Sequence, residues 1–115
     1  MRIDSYRFGS IVIDGKPYRS DVMIYGDQVK SDWWRKEGHR LHLEDLDWVL
    51  SRGPKVLVIG TGANGRMVVP ESVKAELESR GIEMIVEPTG EAYKTYNRLR
   101  GSNDTNVAAA LHLTC

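Results

Sequence analysis

The chain has one cysteine, Cys115, so no disulfide can close within it. A lone thiol suits a reducing compartment. No apolar run approaches the ~18 residues that a membrane-spanning helix requires. Met1 to Ser10 mixes polar and apolar side chains where a signal peptide would be continuously apolar. A surplus of charge is missing too, because sixteen basic and sixteen acidic side chains cancel. Nucleic acid and anionic lipid select proteins rich in Lys and Arg, so neither nucleic acid nor membrane is an expected partner. There is no internal repeat. What remains is a cytoplasmic chain whose length suits one domain over residues 1–115. A chain of this size buries roughly 65% of its unfolded surface, enough for a core without disulfide or metal.

The most distinctive feature present is Gly60-x-Gly62-x-x-Gly65, which follows the apolar run Val56-Leu-Val-Ile59. That is the spacing of a dinucleotide-binding fingerprint, in which glycines permit a tight turn and a close approach of backbone amides to an anion. Glu87, at the end of the next predicted strand, occupies the place of a ribose-binding acid. The context disagrees. The third glycine should open a helix whose amides hold the pyrophosphate, yet Arg66-Met-Val-Val69 intervenes and the helix signal waits for Pro70. Only half of the usual double βαβ unit is present. No nicotinamide, flavin or other cofactor is expected, and Gly60 and Gly62 read as a sharp exit from a buried strand ending at residue 59.

The rest of the pattern is β-rich first and alternating afterwards. Residues 3–8 and 11–13 read as strands, the second running into the hairpin signal Asp14-Gly15. A strand over 21–25 stops at Gly26-Asp27, and residues 27–40 read as a loop or irregular hairpin arm. Leu43, Leu46, Val49 and Leu50 form the apolar stripe of a helix over 43–52, closed by Gly53-Pro54. Met67–Val69 is a short extended piece. Pro70 starts a second helix that Gly81 ends. Residues 82–86 form the next strand, Thr89 is the expected N-cap of a helix that runs to Gly101, and Ser102–Asp104 is a turn. The tail, Val107 to Thr114, combines helix-favouring alanines with a strand-favouring end, and reads as a strand. Strands alternating with helices imply an α/β fold with a partly parallel central sheet.

Several segments together carry a family resemblance: Arg7-Phe-Gly9, Asp32-Trp-Trp-Arg35, Gly38-His39, Glu44-Asp-Leu46, Val58-Ile-Gly-Thr-Gly-Ala63, Pro88-Thr-Gly-Glu-Ala92 with Tyr96-Asn97, and Ala110-Leu-His-Leu-Thr-Cys115. The chain resembles the Mth-type domain family, whose members include an adipogenesis-associated cytoplasmic protein and an assembly factor of mitochondrial respiratory complex I. The resemblance implies a three-layer α/β fold, with a mixed central sheet, helices and an additional N-terminal β-hairpin layer. It also implies a last strand antiparallel to its neighbours, and it brings no established activity or cofactor. A mitochondrial role would call for a targeting extension, whereas Met1 opens directly on the domain.

Four groups of residues could carry function. His39 and His42, near Glu37, Glu44 and Asp45, fall short of the three or four converging ligands that zinc wants, so capping or polar contacts are expected and no metal. His112 and Cys115 lie an odd number apart on the expected strand, which sends them to opposite faces, each free to meet a group from elsewhere. Trp33-Trp34-Arg35 alternates, so one tryptophan enters the core and the other lies over the surface beside Arg35. Tryptophan and arginine are enriched at binding hot spots, and the segment serves either as a partner-binding surface or as hairpin packing. Thr61, Gly62, Asn64 and Thr89 collect where parallel strands end, the usual ligand edge of α/β folds, with His39 as the proton-transfer candidate. The leading expectation is a non-catalytic interaction or assembly-accessory domain that binds a protein partner or another copy of itself. The alternative is a protein that binds a small anion or polar metabolite, or a weak enzyme, using the 60–65 loop.

Overall fold

The computed structural model describes residues 1–101 and 106–115, so the turn expected at Ser102–Asp104 lies outside the described residues. Eight strands are described: β1 (Ile3–Arg7), β2 (Ser10–Ile13), β3 (Lys16–Tyr18), β4 (Val22–Tyr25), β5 (Gln28–Lys30), β6 (Val56–Thr61), β7 (Glu83–Glu87) and β8 (Val107–His112). The helices are α1 (Asp47–Leu50), entered through a 3-10 turn at Leu43–Leu46, α2 (Glu71–Ser79) and α3 (Thr89–Arg100). Strands β1, β2 and β3 form a small antiparallel sheet. Its β2–β3 turn places Asp14 at φ 48° and Gly15 at φ 80°, the two positive angles that a type I′ hairpin requires.

The larger sheet has the order β5-β4-β8-β6-β7. Strand β8 is its centre, parallel to β6 and antiparallel to β4. The tail is therefore a strand, but it runs against only one of its neighbours. Both faces of β8 are covered, which explains its unbroken apolar run. Val107, Ala109 and Leu111 face one core with Ile3, Ile13 and Tyr96, from the small sheet and α3. Ala108 and Ala110 face a second core with Trp33, Leu46 and Leu77, from the 31–41 segment and the helices of the opposite side. Two cores divided by one sheet give three layers, with the small sheet as the added one.

Two local expectations need correction. The helix over 43–52 is a 3-10 turn followed by one α turn. Of the two readings for residues 27–40, the hairpin arm holds at residues 28–30, which pair with β4 as a short edge strand. Strand β6 continues through Gly60 and Thr61, so the chain leaves the sheet at Gly62, with φ 104°. Gly60 is inside the strand for a packing reason: a Cβ there would lie 2.7 Å from Thr89 Oγ1 and 2.9 Å from Leu111 Cδ2. Gly60→Ala is expected to cost about 1–3 kcal/mol by overpacking, measured as a lower denaturation midpoint in urea.

Candidate functional site

At the carboxyl end of β8, a buried polar network joins three distant stretches of chain. Asp21, just before β4, accepts from Arg35 Nη1 at 2.6 Å and lies 2.8 Å from His112 Nδ1, both through Oδ2. Its other oxygen accepts from the Leu113 amide at 2.8 Å. Arg35 Nη2 donates to the Gly38 carbonyl at 3.1 Å and also lies 2.9 Å from His112 Nδ1. One ring nitrogen cannot both donate to Asp21 and accept from Arg35. The carboxylate is the stronger claimant, which places the proton on Nδ1; among the described residues, His112 Nε2, like Arg35 Nε, is buried without a partner. Burial alone would raise the Asp21 carboxyl. The hydrogen bonds from His112, the Leu113 amide and Arg35, with the Arg35 charge, outweigh burial and hold it below the usual carboxylate value. Tyr6 donates to the Leu113 carbonyl at 2.7 Å, and burial together with the Asp21 charge pushes its phenol up.

The tail beyond β8 closes the glycine loop. The Gly62 amide donates to Thr89 Oγ1 at 2.9 Å, and that hydroxyl donates to the His112 carbonyl at 2.5 Å. The Ala63 amide donates to the Thr114 carbonyl at 2.7 Å and the Arg66 amide to the Cys115 carbonyl at 3.2 Å. A Cβ on Gly62 would lie 2.6 Å from three backbone atoms of Thr114 and Cys115. The amides of Gly62, Ala63, Gly65 and Arg66 are thus bonded within the chain. No helix opens at Gly65, because α2 begins at Glu71. Thr89 is the first helical residue rather than the cap; Pro88 takes the cap position, and the Thr89 hydroxyl serves the loop and β8 instead.

Of the expected ligand group, Thr61, Gly62 and Thr89 are therefore brought together but buried, while Asn64 and His39 are exposed. Thr61 Oγ1 donates to the Glu87 carbonyl at 3.2 Å. The two neighbouring histidines go separate ways. His42 Nε2 lies 2.6 Å from Glu37 Oε2, whereas His39 Nε2 lies 3.8 Å from Cys115 Sγ. The His39 ring also meets His112 edge-on, with centroids 6.1 Å apart. Cys115 thus meets a histidine from elsewhere in the fold. Among the described residues, no group of three or more His, Cys, Asp and Glu is placed to hold a metal.

The tryptophan pair splits as alternation requires, with a correction to its neighbour. Trp33 is 5% exposed, and its Nε1 donates to the Asp45 carbonyl at 2.8 Å. Arg35 shares the parity of Trp33 and turns inward, 9% exposed, with its guanidinium 4.8 Å over the Trp33 ring. Trp34 is left outside, 76% exposed, without Arg35 beside it on the surface. It borders an open groove of about 570 Å³, lined also by Trp33, Trp48, Met23 and several charged side chains. Across the groove, Arg52 stacks on the Trp48 ring at 3.8 Å.

Comparison with known proteins fits this architecture. Residues 3–112 match the family model described as a protein of unknown function (DUF498/DUF598). The chain belongs to this family. Among solved structures, it is similar to a conserved hypothetical protein, PH1505, from Pyrococcus horikoshii OT3, with 31% identity, 100% of both chains covered and a TM-score of 0.86. It is also similar to a protein described as an outer membrane protein from Bartonella henselae, at 26% identity, covering 98% of this chain and 94% of that one, with a TM-score of 0.81. A Mth938-like domain from Bordetella pertussis shares the fold at 19% identity, with 97% and 85% covered and a TM-score of 0.74. The resemblance to Mth-type domains therefore holds. No helix among the described residues is long and apolar enough to cross a membrane.

Sequence reasoning missed Asp21 and the inward role of Arg35. Their partners lie 14 and 91 positions away from Asp21, and no local spacing announces them. Asp21→Asn is expected to cost about 3 kcal/mol near neutral pH, because it strands a buried guanidinium. The pH dependence has a definite sign. The Asp21 carboxyl is more acidic folded than unfolded, so its contribution is complete above the unfolded carboxylate's ~3.9. It disappears as pH falls through the lower folded value. Denaturation at stepped pH should show the acid-side loss in the parent and a weaker one in Asp21→Asn.

Proposed function

We propose that this chain is a non-catalytic docking domain of the interaction or assembly-accessory kind, which presents Trp34 and the adjoining groove to a protein partner. One observation carries the reading: Trp34 is the most exposed of the large apolar side chains, and it stands at the rim of a groove walled by two further tryptophans. An exposed indole beside a concavity walled by tryptophans and rimmed by charge has the anatomy of a hot spot. Among the residues with catalytic potential His39 is exposed, but three others support the same reading from the other side. His112, Thr61 and Thr89 are buried, and their hydrogen bonds join segments of this chain. The single thiol and the balanced charge favour a cytoplasmic setting. Self-association through the same surface is a variant of this function.

Trp34→Ala tests it. The side chain is exposed, so stability should stay within about ±0.5 kcal/mol of the parent. Quantitative affinity capture, with the oligomeric state followed by light scattering, should show partners or self-association lost in the variant. An unchanged partner set and unchanged mass would remove the basis of the reading.

A further inference from the structure

The three tryptophans of this chain are not treated alike. Trp33 carries the Arg35 guanidinium at 4.8 Å and Trp48 carries that of Arg52 at 3.8 Å. Trp34 has no such cation among the described residues, and it alone faces solvent broadly. The groove beside it is lined by four carboxylates, Asp32, Glu44, Asp45 and Asp47, against two ammonium groups, Lys30 and Lys36. Lys36 is paired with Glu44 at 3.1 Å, and Asp45 accepts the amides of His42 and Lys36. Asp32 and Asp47 have no ion-pair partner among the described residues, which leaves the groove negative next to an open aromatic face.

An indole face and unpaired carboxylates both attract the same kind of group, a cation that sheds water readily and lies flat. A guanidinium meets that description better than an ammonium, and this fold already stacks guanidinium groups on its two other indoles. We infer that the groove receives an arginine side chain of a partner protein, stacked on Trp34 and paired with Asp32 and Asp47. This deepens the docking reading and rests on it. It names the chemistry of the partner at the one indole this chain leaves uncovered.

The test is a titration of the isotopically labelled chain with a blocked Gly-Gly-Arg-Gly-Gly peptide and its citrulline counterpart, which keeps the shape and removes the charge. The indole N–H signals of the three tryptophans serve as the readout. The arginine peptide should move the Trp34 signal saturably, and the citrulline peptide should bind at least about five-fold more weakly. Asp32→Asn and Asp47→Asn should each weaken binding about two- to five-fold, as expected of exposed ion pairs. Trp34→Ala should abolish the shifts elsewhere in the groove. Equal shifts from both peptides overturn the arginine reading and leave an apolar docking surface. If neither peptide moves Trp34 while Trp34→Ala still loses a partner, the arginine reading falls and docking stands. If neither binds and Trp34→Ala loses nothing, both fall. Self-association through Trp34 that the arginine peptide does not displace also overturns the inference, in favour of a second copy as occupant.

Discussion

The carboxylate of Asp21 holds three stretches of chain in register: the start of β4, the 31–41 segment through Arg35, and the end of β8 through His112 and the Leu113 amide. Moving such a charge out of water is costly unless its lone pairs are filled, and here both oxygens are. The arrangement does more than neutralise charge. With Arg35 drawn inward, Trp33 must follow on the same face and Trp34 must face outward. With Leu113 drawn in, the tail is set where Thr114 and Cys115 can close the glycine loop. The buried ions and the exposed indole are therefore consequences of one placement.

That placement explains which features could be read from the sequence. Where backbone angle or side-chain alternation over a few residues decided the outcome, the reading held, whereas the apolar stripe over 43–52 promised a longer helix than the single α turn that forms. The alternation of Trp33 and Trp34 and the Asp14-Gly15 hairpin follow from side-chain direction or backbone angle over a few residues, while the strand at the tail rested on resemblance and on the need to tie the end into a sheet. The α/β class and the added N-terminal layer followed from the order of elements and from resemblance. Where the outcome depended on a partner far along the chain, the reading failed. Arg35 would sit on the surface by composition alone, and Asp21, with the Gly38 carbonyl and the Trp33 ring, makes its burial tolerable. Thr89 looks like a cap because threonine caps helices well, but its hydroxyl finds Gly62 and the His112 carbonyl first.

The glycine spacing shows the same division in a single motif. Its three glycines answer three different demands: close approach of α3 and Leu111 to the sheet at Gly60, a left-handed exit pressed against the tail at Gly62, and a left-handed turn at Gly65. A nucleotide fold uses such glycines to admit a ligand's phosphates. This chain uses them to admit its own backbone. At the edge where α/β folds commonly bind ligands, Gly62 and Thr89 are thus covered by the chain's own tail, and the open indole lies on the segment that enters α1.

The position of β8 has a consequence for how the molecule assembles. It follows every other strand in the sequence, yet it lies between β4 and β6 at the middle of the larger sheet. Until it inserts, β4 and β6 have no strand between them, and each presents an unsatisfied row of amides and carbonyls. Such edges invite pairing with foreign chains. Contacts spanning so much of the chain also slow the search for the native arrangement. During synthesis the nascent chain would thus carry two half-sheets awaiting a shared keystone, the period in which it would most need shielding.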